Sequence, residues 1–330
     1  FSSVLGVWDG VVAAGGGEVA VVCGGVSLSF GEVDEAASRL AGVLGLVGVG
    51  SEVRVGVVVP RGVEVVVVMV AVWKAGGVVV PVDPAHPVSR VGVVLGEADP
   101  LVVVASSSVA DRVAEAGFVG RMILVDDPDS WPDTDTDTDT DAHVNADAVS
   151  VGAGSAAYVV FTSGSTGRPK GVVGTHGGLV NLALAHRVAV MDPVVVRLGG
   201  RRLRVLNVLS FAFDGSLDPL VWMLAGHAMH VLPGGVMGDS AGIVRLVRDE
   251  RIDFVDVPPS LLELLVDDGL LSGEWVPSVV ATGAEAVGSR LWEALGSAPG
   301  VWGLNFYGPT ECTVDATWTS VESGSGPHIG

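Results

Sequence analysis

The chain has 330 residues, of which 49% are hydrophobic and 17% are charged, and its formal net charge is −20. This length and apolar content exclude a disordered chain and predict two subdomains or one large α/β domain. The acidity argues against a nucleic-acid or anionic-membrane partner, because phosphate groups would be repelled at long range. Two cysteines, Cys23 and Cys312, exclude a disulfide framework and a cysteine-based zinc site. With no signal-peptide pattern in view, they indicate the cytoplasm.

The first predicted elements alternate between strand and helix. Residues 20–23 and 26–29 predict a hairpin across two glycines, and residues 30–46 have the apolar periodicity of a helix. Residues 53–59 form a β-branched run typical of a buried strand. A helix over 63–75, ended by a Gly-Gly pair, and a strand over 78–82 follow. The order strand, helix, strand predicts a right-handed parallel crossover. The prolines and charged residues within 53–82 argue against a membrane span.

An acidic tract at 133–141 alternates Asp and Thr without a break. We interpret it as a low-complexity loop, because it lacks the glycine and the final glutamate of an EF-hand calcium loop. The tract predicts a division into a first α/β part (1–130), an acidic loop (131–150) and a second α/β part (151–330) that carries both a phosphate loop and a substrate pocket.

The most informative motif begins where the apolar run 157–161 ends. The residues that follow supply hydroxyl groups, unhindered backbone N–H groups and one cation: Thr162, Ser163, Gly164, Ser165, Thr166, Gly167 and Lys170. Such groups can wrap phosphate oxygens. Pro169 stands where a Walker A motif requires glycine, and the spacing is not that of a Rossmann fingerprint. A flexible linker is the alternative, and the preceding strand argues against it.

Four motifs together resemble the adenylate-forming superfamily, and more narrowly the amino-acid adenylation domains of nonribosomal peptide synthetases. Residues 161–171 (FTSGSTGRPKG) resemble the phosphate loop of that family. The other three matches occur in the family's order: WKAGGVVVPVDP at 73–84, FDGS at 213–216 and NFYGPTE at 305–311. The resemblance covers nearly the whole chain.

The resemblance implies an α/β fold: the large N-terminal domain of an adenylate-forming enzyme, with stacked α/β subdomains and a small β-rich portion. The family's small C-terminal subdomain is expected to be absent, because the chain stops at Gly330. With it the family's late catalytic lysine is missing. We therefore expect this piece to bind its ligands and to be weak or inactive, whereas the intact protein is an AMP-forming ligase.

The implied reaction is attack of an amino-acid carboxylate on the α-phosphorus of ATP with Mg²⁺, with release of pyrophosphate. The aminoacyl-AMP then passes to the phosphopantetheine thiol of a carrier protein. A neighbouring condensation domain and an MbtH-like helper protein are the other implied partners. No nucleic acid and no membrane are expected.

The resemblance also assigns roles to individual residues. The phosphate loop and Lys170 would hold the β- and γ-phosphates, and Glu311 would bind magnesium through a hard carboxylate oxygen. The adenine pocket would be formed by Gly283, Ala284, Glu285, Asn305, Phe306 and Tyr307, with Gly308 and Thr310 beside it. Asp214 would pair with the α-ammonium of the substrate. Its alternative role is to cap the helix that begins near Leu217.

Counting from the motifs predicts the side-chain pocket: Gly215, Asp218, Asp256, Val280, Thr282, Phe306, Val314 and Asp315. Three aspartates in one closed pocket would repel each other unless a cation arrives. We therefore predict a basic substrate. Arginine or a cyclic analogue such as capreomycidine is favoured, because a guanidinium offers a fork of donors; lysine or ornithine comes next. The alternative is that one or two of the aspartates point to solvent.

Two other functions are compatible with these motifs. An aryl- or acyl-acid ligase of the same superfamily is one, although such substrates lack the α-ammonium that Asp214 would bind. A nucleotide-binding fragment that serves as a docking surface is the other. His86, His176 and His227 have no metal-ligand spacing and are interpreted as surface or core histidines.

Overall fold

The structure, a computed structural model, describes residues 3–127, 131, 151–163 and 168–330. Its helices are α1 Val4–Gly15, α2 Phe30–Leu46, α3 Glu64–Lys74, α4 Val88–Ala98, α5 Ala110–Glu115, α6 His176–His186, α7 Asp192–Arg197, α8 Leu217–Leu224, α9 Ser240–Asp249, α10 Pro259–Asp267 and α11 Ser289–Gly296. Its strands are β1 Val19–Cys23, β2 Val26–Ser29, β3 Arg54–Val58, β4 Val78–Pro81, β5 Val102–Ala105, β6 Arg121–Leu124, β7 Ala156–Thr162, β8 Lys170–Thr175, β9 Arg204–Asn207, β10 Ala228–Val231, β11 Phe254–Asp256, β12 Val279–Thr282, β13 Trp302–Tyr307 and β14 Thr317–Ser320.

The predicted early elements are confirmed because local signals define them. Strands β1 and β2 are neighbours, and Gly24 and Gly25 between them both have positive φ, as a tight two-residue turn requires. Helix α2 begins with a capping box, in which Ser29 and Glu32 satisfy each other's backbone N–H groups. Strands β3 and β4 pair in parallel around α3, as the crossover rule requires.

One compact unit comprises Phe1–Glu18, Leu28–Val180 and Ser210–Phe213. Its six-stranded sheet has the order β6-β5-β3-β4-β7-β8, in which every pair is parallel except β7 with β8. Valines from β3, β4 and β5 pack against α4 and make the core on that face. These strands are buried on both faces, which explains their continuous valine runs.

The second compact unit comprises Val19–Ser27, Asn181–Leu209 and Asp214–Gly330. Its eight-stranded sheet has the order β14-β13-β12-β11-β9-β10-β1-β2. The strands from β13 to β1 are parallel, and β14 is antiparallel at the edge. Strand β10 lies on one side of β9 and β11 on the other, so the chain reverses its direction of winding at β9. Ligands of open α/β sheets bind at such a switch point, beyond the carboxyl ends of the strands.

The division between the units differs from the predicted one. The acidic tract at 131–150 was expected to separate the two parts, but β7 and β8 follow the tract and still belong to the first sheet. Strand β7 pairs with β4 and thereby covers an edge that would otherwise be open. The boundary consequently falls after Val180, and the phosphate-loop strands lie in the first unit rather than with the substrate pocket. The tract itself lies outside the described residues.

Among the described residues, one helical run is long and apolar enough, by length and composition alone, to cross a membrane. It extends over His176–Arg197 with a mean hydropathy of 1.5, and 44% of its most apolar window is buried inside the protein. Core helices pass the same test, so this run is weak evidence for a membrane. His176 at its start is fully buried and accepts a hydrogen bond from the backbone N–H of Val4 at 3.4 Å.

Candidate functional site

A cleft opens at the carboxyl ends of β9, β11, β12 and β13, at the switch point of the eight-stranded sheet. It holds about 460 Å³ of empty space, part of it open to solvent. Its wall consists of residues from the segments that follow these strands: Leu209, Asp214, Gly215, Asp218, Asp256, Val257, Pro258, Gly283, Ala284, Phe306, Gly308, Val314 and Asp315.

Most of the predicted side-chain pocket is brought together in this wall. Six of the eight predicted residues line it: Gly215, Asp218, Asp256, Phe306, Val314 and Asp315. The other two do not. Val280 is packed into the hydrophobic core beneath the sheet, and the buried hydroxyl of Thr282 donates to the Val257 carbonyl at 2.8 Å. Val280 lies inside β12, and Thr282, the last residue of that strand, uses its hydroxyl in the bond to Val257.

Asp214 also lines the cleft, and it does not cap helix α8. Its Oδ1 accepts the N–H of the adjacent Gly215 at 3.0 Å, and Ser216 occupies the N-cap position without a side-chain capping bond. Strand β9 ends at Asn207, and residues 211–213 before Asp214 form a turn. The carboxylate therefore remains in the cleft wall with one local hydrogen bond.

The aspartates of the cleft perturb one another strongly. Asp218, in the first turn of α8, is 1% exposed, and burial together with the charges of Asp315 and Asp256 raises its pKa well above the ordinary value. Burial and the charge of Asp315 raise the pKa of Asp256 to about 7. The charges of the neighbouring aspartates thus add to burial in disfavouring the ionised form of both residues. The carboxyl groups of the cleft therefore cannot all ionise without a substantial cost in free energy.

His186, which sequence reasoning missed, contacts residues of the cleft wall. Its Nε2 lies 3.1 Å from Asp315 Oδ2 and 3.9 Å from Asp218 Oδ1. Its ring stacks on that of Phe306, with centroids 5.2 Å apart and planes 13° apart. It is the last residue of α6, and a five-residue π-helical turn follows, a feature common at functional sites. No local signal marks it, because 129 residues separate it from Asp315.

Backbone strain is concentrated beside the cleft. Val314 has a φ of 68° and Thr313 a φ of 62°, conformations that β-branched residues rarely adopt. The turn approaches Gly308 so closely that a Cβ there would lie 2.0 Å from the Val314 carbonyl oxygen. Glycine is therefore required at 308, and the strained turn is what carries Val314 and Asp315 into the cleft wall.

The residues predicted to bind adenine are distributed around the same strand ends. Gly283, Ala284, Phe306 and Gly308 line the cleft, and Tyr307 is 49% exposed at the end of β13. The remaining three lie as follows: Asn305 is buried and donates to the His328 carbonyl at 2.8 Å, Glu285 accepts the backbone N–H and hydroxyl of Ser260, and Thr310 begins a short 3-10 turn. Glu285 thus binds the start of α10 and is not directed into the cleft wall.

The predicted phosphate and metal residues are only partly described. Thr162 ends β7, Lys170 begins β8 with its side chain exposed, and the two residues pair across the strands. Ser163 is exposed as well. Gly164, Ser165, Thr166 and Gly167 lie outside the described residues. Glu311 is exposed in the turn 310–312, and its free carboxylate is of the hard-oxygen type that Mg²⁺ prefers.

The model of the AMP-binding enzyme family matches residues 9–330, almost the entire chain. The chain belongs to this family. The solved structure of the nonribosomal peptide synthetase FmoA3, in its form bound to alpha-methyl-L-serine-AMP, matches 98% of the chain and 35% of that protein, at 26% identity and a TM-score of 0.83. The N-terminal subdomain of Klebsiella oxytoca NpsA matches 98% of the chain and 78% of that subdomain at 23% identity and a TM-score of 0.80, and this likeness shows the fold alone.

The chain is also similar to curated proteins that are named as a synthetase and as a biosynthesis protein. Vanchrobactin synthetase VabF of Vibrio anguillarum is 32% identical over 99% of the chain and 12% of its own length. Novobiocin biosynthesis protein H of Streptomyces niveus is 36% identical over 95% of the chain and 50% of its own length. The chain thus spans half or less of these two relatives. The expected α/β fold and the expected family are confirmed.

Proposed function

We propose that the protein carrying this chain activates a basic amino acid as its aminoacyl-AMP, with arginine or a cyclic guanidino analogue such as capreomycidine as the substrate. The activated acyl group then passes to a carrier-protein thiol in the cytoplasm. One observation carries the choice of substrate: three mutually perturbing aspartates meet in one cleft, where a cation would relieve their repulsion.

The arrangement of hydrogen bonds supports a donor-rich ligand. Asp218 Oδ1 is buried and has no hydrogen-bond partner among the described residues. An unpaired buried carboxylate oxygen is costly, and a ligand N–H would satisfy it. A guanidinium supplies five such donors in a planar fork, whereas a lysine ammonium is a compact point charge. The flat face of Phe306 in the same wall suits a guanidinium plane.

The presence of Asp214 favours an amino-acid substrate over an aryl-acid substrate. NpsA has been solved with 3-hydroxybenzoyl-AMSN and 3-hydroxyanthranilyl-AMSN, so aryl ligands occur on this fold. A carboxylate in the cleft wall suits an α-ammonium, which benzoates lack. We therefore place the α-ammonium at Asp214 and the cationic side chain at Asp218 and Asp256.

ATP is the second substrate of the proposed reaction, and Mg²⁺ would be held by Glu311. Bound Mg²⁺ would neutralise charge on the phosphates. Thr162, Ser163 and Lys170 supply two hydroxyls and a cation for phosphate oxygens. These residues bind and orient the nucleotide, so positioning and charge neutralisation are their whole contribution.

The test is calorimetric binding of arginine, capreomycidine, lysine, citrulline and 3-hydroxybenzoate, each with a non-hydrolysable ATP analogue and Mg²⁺. Citrulline retains the shape of arginine and lacks its charge. We expect the guanidino compounds to bind and citrulline to bind at least tenfold more weakly. Equal binding of citrulline would refute the basic substrate, and preferential binding of the benzoate would refute the amino-acid assignment.

A further inference from the structure

His186 lies beside two of the three aspartates of the cleft wall, and the proposed function assigns it no role. Its side chain is 5% exposed, and its Nε2 lies 3.1 Å from Asp315 Oδ2. An ionised carboxylate only accepts hydrogen bonds, so Nε2 is the donor when Asp315 is ionised. The second ring nitrogen, Nδ1, is buried without a hydrogen-bond partner among the described residues. The imidazole is therefore held in the cleft by Asp315 and by its stacking on Phe306.

This contact makes the three carboxylates unequal. Asp315 already has a donor at hydrogen-bond distance, whereas Nε2 is 3.9 Å from Asp218, beyond hydrogen-bond range. Asp218 Oδ1 is buried and has no hydrogen-bond partner among the described residues. A cation that enters the cleft finds Asp315 engaged and the other two carboxyl groups able to accept from it.

We infer that His186 is a specificity-determining residue of the cleft: by donating a hydrogen bond to Asp315 it engages that carboxylate and leaves Asp218 and Asp256 to bind the cationic end of the substrate side chain. The inference rests on the proposed basic substrate. It assigns His186 a positioning role, with no part in the chemical step. Because His186 pairs with Asp315, a neutral substrate side chain would meet two unpaired carboxyl groups in the cleft rather than three.

The experiment compares the affinities of arginine and citrulline, measured with the ATP analogue and Mg²⁺ on the intact protein that carries this chain. His186→Leu removes the donor and leaves Asp315 unpaired. We expect the preference for arginine over citrulline to rise about tenfold, because a buried unpaired carboxylate favours a cationic ligand over a neutral one. In His186→Gln the amide can still donate to Asp315, so the preference should stay within twofold of the wild type.

Two further variants separate selectivity from structural damage. Adding Asp315→Asn to His186→Leu removes the unpaired charge and should return the preference to the wild-type value. His328→Leu changes an exposed histidine outside the cleft and serves as the matched control. An unchanged preference in His186→Leu, or an equal shift in His186→Gln, would overturn the inference, as would an equal loss of affinity for both ligands.

The same proteins distinguish this inference from the proposed function. If the wild type itself does not prefer arginine, the substrate proposal fails together with the selectivity role that depends on it. If the wild type prefers arginine and the variants do not differ from it, only the role of His186 fails. Zn²⁺ alone is titrated as well, since donor atoms of His186, Asp218 and Asp315 lie within 4.8 Å of one another. Saturable binding that is lost in His186→Leu would make the cluster a metal site and overturn the inference.

Discussion

Asp256→Asn should make the protein more stable and its substrate binding weaker at the same time. The pKa of Asp256 is raised from 3.8 to about 7 in the folded state, so the folded state binds more protons than the unfolded state between these values. Stability is therefore lost as the pH rises from about 4 to 7, by up to about 1.4 kcal/mol per pH unit. Above pH 7 the accumulated cost reaches at most about 4 kcal/mol.

Asp256→Asn removes this loss of stability and retains the shape of the side chain. For 330 residues the unfolding entropy is about 0.7 kcal/mol per kelvin, so 4 kcal/mol corresponds to a rise in Tm of about 6 °C at pH 8. The rise should shrink toward zero near pH 4. Loss of a charged contact should weaken arginine binding by about 2–4 kcal/mol, roughly a hundredfold.

Thermal unfolding of the wild type and Asp256→Asn at pH 5, 6, 7 and 8 measures the first effect, and calorimetry with arginine measures the second. Asp249→Asn, an exposed aspartate on α9, is the matched control and should follow the wild type at every pH. Parallel Tm profiles for Asp256→Asn and the wild type would refute the reasoning about charge repulsion. An unchanged arginine affinity would remove Asp256 from the binding site.

Three other changes test different parts of the structure. Burial lowers the pKa of His176 from 6.5 to about 4, so stability should fall by up to roughly 3 kcal/mol as the pH drops from 6.5 to 4. His176→Gln should flatten this part of the plot of Tm against pH. An unchanged slope would contradict the lowered pKa of His176. Gly308→Ala should displace the turn at Val314, lowering Tm by several degrees and abolishing substrate binding. Gly96→Ala, which has open space around it in helix α4, should keep the binding. Asp214→Asn should weaken amino-acid binding about a hundredfold and leave binding of the ATP analogue unchanged; equal loss of both would place Asp214 elsewhere.

Local patterns were sufficient to predict the first helices and strands. The helix over 30–46 has its predicted bounds, because the apolar stripe and the Ser29 cap specify the same element. The order of strands in the sheets was not predictable from these signals. The pairing of β4 with β7 joins segments about 80 residues apart, on either side of a tract that composition alone marks as a boundary.

In the candidate site, too, residues near a motif were predictable from the sequence and residues brought in by long-range contacts were not. Counting from motifs works for residues at or beyond strand ends, such as Asp256 and Val314, because they lie close to the motifs in the sequence. It fails for Val280, since a residue within a strand faces the core that its neighbours build. His186 carries no motif at all, and only the fold brings it to Asp315. Contacts between residues so far apart in the sequence can be identified only from the structure.

Two groups of buried residues act on stability in opposite directions, and only one of them belongs to the cleft. His176, His227 and His230 have pKa values lowered to about 4 by burial, so they destabilise the fold as the pH falls from 6.5 toward 4. Asp218 and Asp256 have raised pKa values and destabilise it as the pH rises. A cationic substrate pairs with the aspartates and not with the histidines. Its stabilising effect should therefore grow as the pH rises from about 4 through 7, where Asp256 becomes ionised in the folded state, because a ligand of opposite charge relieves the repulsion between the aspartates.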